Sequence, residues 1–102
     1  MTEILLCCGS GASSGFMAKN ANDAAKLKGL NYHIFARSES EIEDYIDIVS
    51  LVMVGPHFKH RLDALRDIAD EYNVPVELIE KDTYGSLDGE ALVKQIQSIL
   101  EK

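Results

Sequence analysis

Short apolar runs alternate with helical patterns along this chain. The run from Thr2 to Cys8 predicts a first strand, and the pattern from Ser14 to Leu27 predicts a helix. That helix is expected to end before Gly29, since glycine commonly terminates helices. Leu30 to Ala36 alternates in side-chain character and predicts a second strand. Alternating strands and helices favour a parallel sheet with crossover helices.

A short acidic helix and a strongly apolar strand are predicted in the middle of the chain. Ser38 or Ser40 can cap the helix, which runs through Tyr45. Ile48 to Val54 is rich in β-branched residues and almost wholly apolar, as is typical of a strand covered on both faces. We therefore predict that this third strand lies at the centre of the sheet.

Two further helices and a fourth strand are predicted in the second half of the chain. One helix ends near Asn73, and Pro75 then starts the fourth strand, Val76 to Glu80. Asp88 can cap the last helix. Helical spacing defines the inward faces, which are Phe58, Leu62, Leu65, Ala69 and Tyr72 in the first helix and Leu92, Ile96 and Ile99 in the last.

These elements predict an α/β fold with four parallel strands and three or four helices. Right-handed crossovers favour an open sheet in the order 2-1-3-4 with helices on both faces, a three-layer sandwich like that of phosphatases and flavodoxins. The chain would leave strands 1 and 3 in opposite directions, so the crevice at their carboxyl ends is the expected ligand site. Cys8 ends the first of these strands, and Gly55, Pro56 and His57 follow the third.

Composition and charge limit the class of protein. With 102 residues and 46% hydrophobic content, residues 1–102 are expected to form one domain with one core. The net charge of −7 argues against nucleic acid and anionic lipid as partners. No apolar run approaches the roughly 20 residues that span a bilayer. Adjacent Cys7 and Cys8 cannot join distant segments, which favours a reducing compartment. We therefore predict a cytoplasmic protein without membrane insertion.

The residues after the first strand are small and polar, which is typical of an anion-binding turn. Backbone N–H groups of such a turn and of the following helix N-terminus can bind a phosphate, and they also stabilise a thiolate. Cys8 is therefore the candidate nucleophile, whereas Cys7 is predicted to face the opposite side of the strand and to be buried. The candidate phosphate-binding residues are Gly9, Ser10, Gly11, Ala12, Ser13, Ser14 and Gly15.

The chain lacks residues that other kinds of site with such a loop require. A tyrosine-phosphatase-like site needs an arginine six positions after the nucleophile, where this chain has Ser14. A nucleotide-binding P-loop needs Lys-Ser or Lys-Thr after its glycines. The pair His57 and His60 lacks the further ligands of a metal site, so no metal is expected. A low-molecular-weight phosphatase or arsenate-reductase-like enzyme and a flavodoxin-like binding module remain as alternatives.

Three motifs together resemble the enzyme IIB component of the bacterial sugar phosphotransferase system, of the lactose/cellobiose (chitobiose) type. They are Leu5 to Gly15, Val52 to His57 and Thr83 to Gly89. The resemblance implies that the protein is a phosphotransferase component that accepts a phosphoryl group from a phosphohistidine of the IIA protein. It then passes the group to a sugar, of the cellobiose, chitobiose or lactose kind, bound by the membrane permease IIC. It implies no cofactor.

The resemblance also implies roles for individual residues. Cys8 matches the phosphorylated cysteine, and Gly9 to Gly15 match the loop around the phosphoryl group. Family members often carry Ser-Ala-Gly-Met-Ser-Thr-Ser in this loop, so the prediction depends on backbone N–H groups rather than on particular hydroxyls. Independently of the resemblance, the predicted strand order places His57 near Cys8, where it either assists at the phosphoryl group or only starts a helix. Tyr84, in the predicted loop after the fourth strand, either recognises a partner or is a packed aromatic residue.

Overall fold

A four-stranded parallel sheet forms the centre of the computed structural model, which describes residues 1–8 and 12–101 but not the side chains of residues 8, 12 and 13. The strand order is β2-β1-β3-β4, which confirms the predicted order 2-1-3-4. All three strand pairs are parallel. The strands are β1 (Thr2–Cys8), β2 (Tyr32–Ser38), β3 (Leu51–Val54) and β4 (Val76–Leu78).

Helices cover both faces of this sheet. The described part of the chain contains five α-helices and two 3₁₀ segments, one more α-helix than the upper end of the predicted range. The 3₁₀ segments are Glu39–Glu41, which Ser38 caps as predicted, and Pro56–Arg61. The α-helices are α1 (Ala12–Leu27), α2 (Ile42–Tyr45), α3 (Leu62–Asp70), α4 (Lys81–Gly85) and α5 (Gly89–Leu100).

The alternation of side chains along β1 divides the core into two layers. Ile4 and Leu6 pack with residues of α1, α4 and α5 on one face. Leu5 and Cys7 pack with residues of α2 and α3 on the other. All four side chains are fully buried, because β1 has a strand on each side and helices above and below. The sheet is therefore a doubly wound one.

Hydrogen bonds explain why two strands start later than predicted. Gly29 has a φ of 71° and ends α1, and the N–H of Leu30 donates to the carbonyl of Ala25 at 2.9 Å, so Leu30 belongs to the helix cap and not to β2. The N–H of Ile48 likewise donates to the carbonyl of Tyr45 in a turn. Ile48 is 57% exposed, and β3 begins only at Leu51.

The helix predicted from Phe58 to Tyr72 is divided in the structure. A 3₁₀ segment occupies its beginning, and α3 ends at Asp70 because Asn73 adopts a φ of 56° in the turn that follows. Leu65 and Ala69 are buried as predicted, but Tyr72 lies beyond the helix and is 49% exposed. The prediction for Tyr72 was therefore wrong.

The end of the fourth strand also differs from the prediction. β4 stops at Leu78 because Glu80 is the N-cap of α4, a helix of only five residues where the sequence predicts a loop. Asp88 caps α5 as predicted, since its side chain accepts a hydrogen bond from the N–H of Ala91 at 3.0 Å. In α5, Leu92 and Ile96 are buried and face the core.

Side-chain amides hydrogen-bond the outer backbone of both edge strands. On β2, the Asn22 amide donates to the carbonyl of Ile34 at 2.6 Å and accepts from its N–H at 2.9 Å. On β4, the Gln95 amide donates to the carbonyl of Leu78 at 2.7 Å. Parallel edge strands expose such groups, and these two residues satisfy them from the adjacent helices.

Tyr32 makes the stability of this fold sensitive to alkaline pH. Burial, and secondarily the charge of Glu101, raises the pKa of Tyr32 above its ordinary value. The folded protein therefore holds the phenolic proton more tightly than the unfolded chain, and this contribution is lost as the pH rises above about 10. We expect the fall in urea midpoint from about pH 9 to about pH 11 to be smaller in Tyr32→Phe than in the wild type.

The exposed Tyr72 provides the matched control for this experiment. Tyr72→Phe removes the same hydroxyl from an exposed position and should leave the alkaline fall in urea midpoint unchanged. An equal change in both variants would mean that burial of Tyr32 is not responsible.

Candidate functional site

The site begins at the carboxyl edge of β1 and β3, which lie side by side. Cys7 pairs with Val54, and the N–H of Gly55 donates to the carbonyl of Cys7 at 3.0 Å. After β1 the chain continues to α1 on one face of the sheet, and after β3 it continues to α3 on the other. This is the predicted switch point, where a crevice forms at the strand ends.

Cys8 is the last residue of β1, where its backbone pairs with Ser38 of β2. Three residues, Gly9, Ser10 and Gly11, separate it from α1 and lie outside the described residues. α1 begins at Ala12, two residues earlier than predicted. The candidate loop therefore includes the first turn of α1, and the positive end of a helix dipole favours an anion.

The described residues of this first turn differ in exposure. Ser14 is 8% exposed, so it lies in the interior at the start of the helix. Gly15 is exposed, and a Cβ atom at this position would meet nothing within 4 Å. The side chains of Ala12 and Ser13 lie outside the described set, as does that of Cys8.

The two cysteines of the site occupy different positions on β1. The side chain of Cys7 is fully buried in the layer between the sheet and helices α2 and α3. This confirms the prediction that Cys7 is a core residue. Cys8, one residue later, is where the strand ends and the candidate loop begins.

The structure brings together the two candidate accessory residues, His57 and Tyr84. Their rings make an edge-to-face contact with centroids 4.9 Å apart. His57 is exposed, whereas Tyr84 is 7% exposed and packs in the core beneath it. Tyr84 lies in α4 and not in a loop as predicted, and the short helix holds it against the residues that follow β3.

A cavity of about 460 Å³ opens beside this aromatic pair. Sequence reasoning missed Lys81, which lines it together with Pro56, His57, Tyr84 and Gly85. The sequence contained one indication of this: Lys81 lies three residues before Tyr84, and residues at that spacing share one face of a helix. The cavity therefore combines an aromatic wall with one cation at the carboxyl edge of the sheet.

The described side chains around His57 and His60 form no metal site. Among the side chains that the structure describes, which do not include that of Cys8, no group of three His, Cys, Asp or Glu lies close enough to hold a metal ion. Within the same ranges, no helix is both long enough and apolar enough to cross a membrane.

Comparison with known proteins agrees with this fold and this motif arrangement. The family model described as "PTS system, Lactose/Cellobiose specific IIB subunit" matches residues 3–95. The chain belongs to this family. This match confirms the resemblance seen in the three sequence motifs. The protein is a IIB component of a sugar phosphotransferase system, of the lactose/cellobiose family.

One relative of this IIB protein matches nearly the whole chain, and another matches about two thirds of it or more as part of a much larger protein. The PTS system oligo-beta-mannoside-specific EIIB component of Bacillus subtilis (strain 168) is 29% identical over 100 residues, which cover 98% of this chain and 97% of the relative. The PTS system lactose-specific EIICB component of Lacticaseibacillus casei is 29% identical over 72 residues, which cover 71% of this chain and 12% of that larger protein.

A solved structure shares the fold. The lactose-specific IIB component domain of the phosphoenolpyruvate:carbohydrate phosphotransferase system from Streptococcus pneumoniae superposes with a TM-score of 0.82 at 17% identity. The superposition covers 98% of this chain and 95% of that one. The doubly wound sheet in the order 2-1-3-4 is therefore an arrangement that the IIB family uses.

Proposed function

We propose that this IIB protein carries a phosphoryl group on Cys8. The N–P bond of a phosphohistidine on the IIA protein breaks as an S–P bond to Cys8 forms, and the group then passes to a sugar bound by IIC. One observation carries the proposal: in a chain of the IIB family, Cys8 ends a central strand, and only three residues separate it from the start of a helix. A thiol beside a helix N-terminus is favoured as a thiolate nucleophile.

The burial of Cys7 supports the choice between the two adjacent cysteines. An acceptor must meet a donor that belongs to another protein, and Cys7 lies in the core with no exposed surface. Phosphorylation there would place a dianion in an apolar layer, at a large desolvation cost. Cys8 is therefore the proposed acceptor.

The composition of the loop suits a carrier better than a hydrolase. Backbone N–H groups at the start of α1 can stabilise the phosphoryl dianion. Ser14 occupies the position where a phosphatase-like site has its arginine, so transfer to water receives no guanidinium assistance. Transfer between proteins needs mainly alignment and charge stabilisation, which a docked partner can complete.

The relatives support a partnership with the membrane component. The Lacticaseibacillus casei relative is named an EIICB component, which indicates that IIB and IIC segments occur in one chain there. For this chain we propose a cytoplasmic carrier that donates to a separate or linked IIC permease. The relatives' names include an oligo-β-mannoside and lactose, and we propose a disaccharide of the cellobiose, chitobiose or lactose kind as the acceptor.

Mass spectrometry tests this function directly. The protein is incubated with phosphoenolpyruvate, the general phosphocarrier proteins and a IIA protein of the lactose/cellobiose class. The expected result is one added phosphoryl group that depends on IIA. Turnover of an aryl phosphate instead of a stable adduct would support the phosphatase alternative, and retention of a flavin on purification would support the flavodoxin-like one.

Replacing His57 is expected to slow phosphoryl transfer without unfolding the protein. His57 is exposed and its ring contacts Tyr84 at the carboxyl edge of the sheet, where β1 ends at Cys8. His57→Ala therefore removes a group near the proposed reaction and causes only a small loss of packing contacts. We expect the rate of phosphorylation by IIA to fall about tenfold, the effect of one lost hydrogen bond to a charged group. Rapid-quench measurement of the adduct gives the rate.

His33→Ala is the control for His57→Ala. His33 is also exposed, but it pairs with Glu3 near the opposite ends of the strands. Its replacement should leave the transfer rate unchanged. Equal rates for the wild type and both variants would remove His57 from the proposed site.

A further inference from the structure

The segment Pro56–Arg61 presents positive and aromatic side chains at the same edge of the sheet as Cys8. It contains no acidic residue, whereas the whole chain has a net charge of −7. The segment is therefore a local exception to the charge of the protein. Its exposed side chains are His57, Lys59, His60 and Arg61.

Packing holds this segment in place and leaves one cation available. Phe58 is half-buried against the core layer that contains Leu65, and its ring stacks with that of His60 at a centroid distance of 5.9 Å. The Arg61 guanidinium pairs with Glu39 at 3.3 Å. No ion pair joins Lys59 to an acidic residue in the part of the chain that the structure describes.

The segment is directly connected to the candidate site. It begins one residue after Gly55, whose N–H donates to the carbonyl of Cys7, and His57 within it lines the cavity beside Tyr84. Lys81 lines the same cavity, but Glu80 and Asp82 flank it in the sequence and offset its charge. Lys59 is therefore a cation on this edge that no described ion pair compensates, and Arg37 near the end of β2 is another.

We propose that Pro56–Arg61 is the docking surface for the phosphoryl donor and that Lys59 steers the donor to Cys8. The inference rests on the proposed function. The donor brings a phosphoryl dianion, and a body with a net charge of −7 repels an anionic partner least where basic side chains are exposed, as they are in this segment. The surface therefore fits an acidic face of phosphorylated IIA. The same net charge disfavours an anionic bilayer as the occupant.

Charge reversal at Lys59, compared with the same change elsewhere, tests the inference. Lys59→Glu and Lys28→Glu each alter the net charge by two, but Lys28 is exposed just beyond the far end of α1, roughly 24 Å along the helix from its start. We expect Lys59→Glu to lower kcat/KM for phosphorylation by IIA about five- to tenfold at low ionic strength. The difference should shrink below about twofold near 0.5 M salt.

Lys28→Glu should reproduce the wild-type rate within about twofold, since it lies far from the docking surface. Equal effects of the two reversals, or none at Lys59, would overturn the inference. Binding of anionic phospholipid vesicles that Lys59→Glu abolishes would also overturn it, because the segment would then bind a membrane.

A binding measurement separates this inference from the proposed function. Titration calorimetry with unphosphorylated IIA requires no transfer step, and weaker binding of Lys59→Glu at low salt, with Lys28→Glu unchanged, supports the docking surface. If wild-type protein binds IIA through Lys59 but gains no phosphoryl group, the function of Cys8 is wrong and the docking surface stands. If the wild type is phosphorylated and neither rate nor binding depends on Lys59, only the docking surface is wrong.

Discussion

Cys8→Ser is expected to abolish the phosphoryl adduct that forms with phosphoenolpyruvate, the general phosphocarriers and IIA. A serine hydroxyl is close in size to a thiol but is not ionised near neutral pH, so the variant lacks the thiolate that we propose as the nucleophile. Because Cys8 is the last residue of β1, at the carboxyl end of the strand, the substitution should leave the fold intact. Intact-protein mass spectrometry gives the occupancy, and circular dichroism verifies the fold.

Cys7→Ser distinguishes the chemistry of Cys8 from a general need for thiols. Cys7 is fully buried, so the variant is expected to be less stable yet still phosphorylated at a temperature where it is folded. An adduct that persists in Cys8→Ser, or that maps to a histidine by peptide sequencing, would contradict the proposed acceptor.

Gly89→Ala is expected to cause a larger loss of stability than the same change at Gly15, Gly29 or Gly85. Gly89 begins α5 where this helix crosses α1, and a Cβ atom there would lie 2.2 Å from the carbonyl carbon and oxygen of Asn20. These are backbone atoms of a helix, so α1 and α5 must separate. Overpacking of this kind costs about 1–3 kcal/mol or more, which outweighs the higher helix propensity of alanine.

Gly85→Ala is the matched control for Gly89→Ala. Gly85 also lies in a helix, but a Cβ atom there would meet nothing within 4 Å. Its free energy of unfolding in urea should stay within about 0.5 kcal/mol of the wild type or rise. Equal stability of the two variants would show that the helices can separate at Gly89 without cost.

Much of the fold could be predicted from the sequence because the core is strongly patterned. β1 is confirmed at Thr2–Cys8, and the sheet order follows from right-handed crossovers. Errors occurred where a local hydrogen bond overrides the pattern. At the end of α1, the N–H of Leu30 bonds the helix instead of the sheet. Helix α4 has only five residues, which are too few to show a helical periodicity of apolar positions.

The candidate site could be predicted in part. Cys8 stands out because an apolar strand changes at that residue into small polar residues, a transition visible in the sequence. The contact between His57 and Tyr84 depends on how α4 folds back over the end of β3, which no local pattern encodes. The close approach at Gly89 is hidden for the same reason, since it depends on the crossing of two helices distant in sequence.

The hydrogen bonds of Asn22 and Gln95 affect how this protein would behave among many copies of itself. A protein with the proposed carrier function must collide with its partners repeatedly and separate each time. An uncovered outer strand would invite a neighbouring molecule to extend the sheet and form long-lived oligomers. By occupying the outward N–H and carbonyl of Ile34 and the outward carbonyl of Leu78, the two amides make both edge strands less available for pairing with a strand of a second molecule.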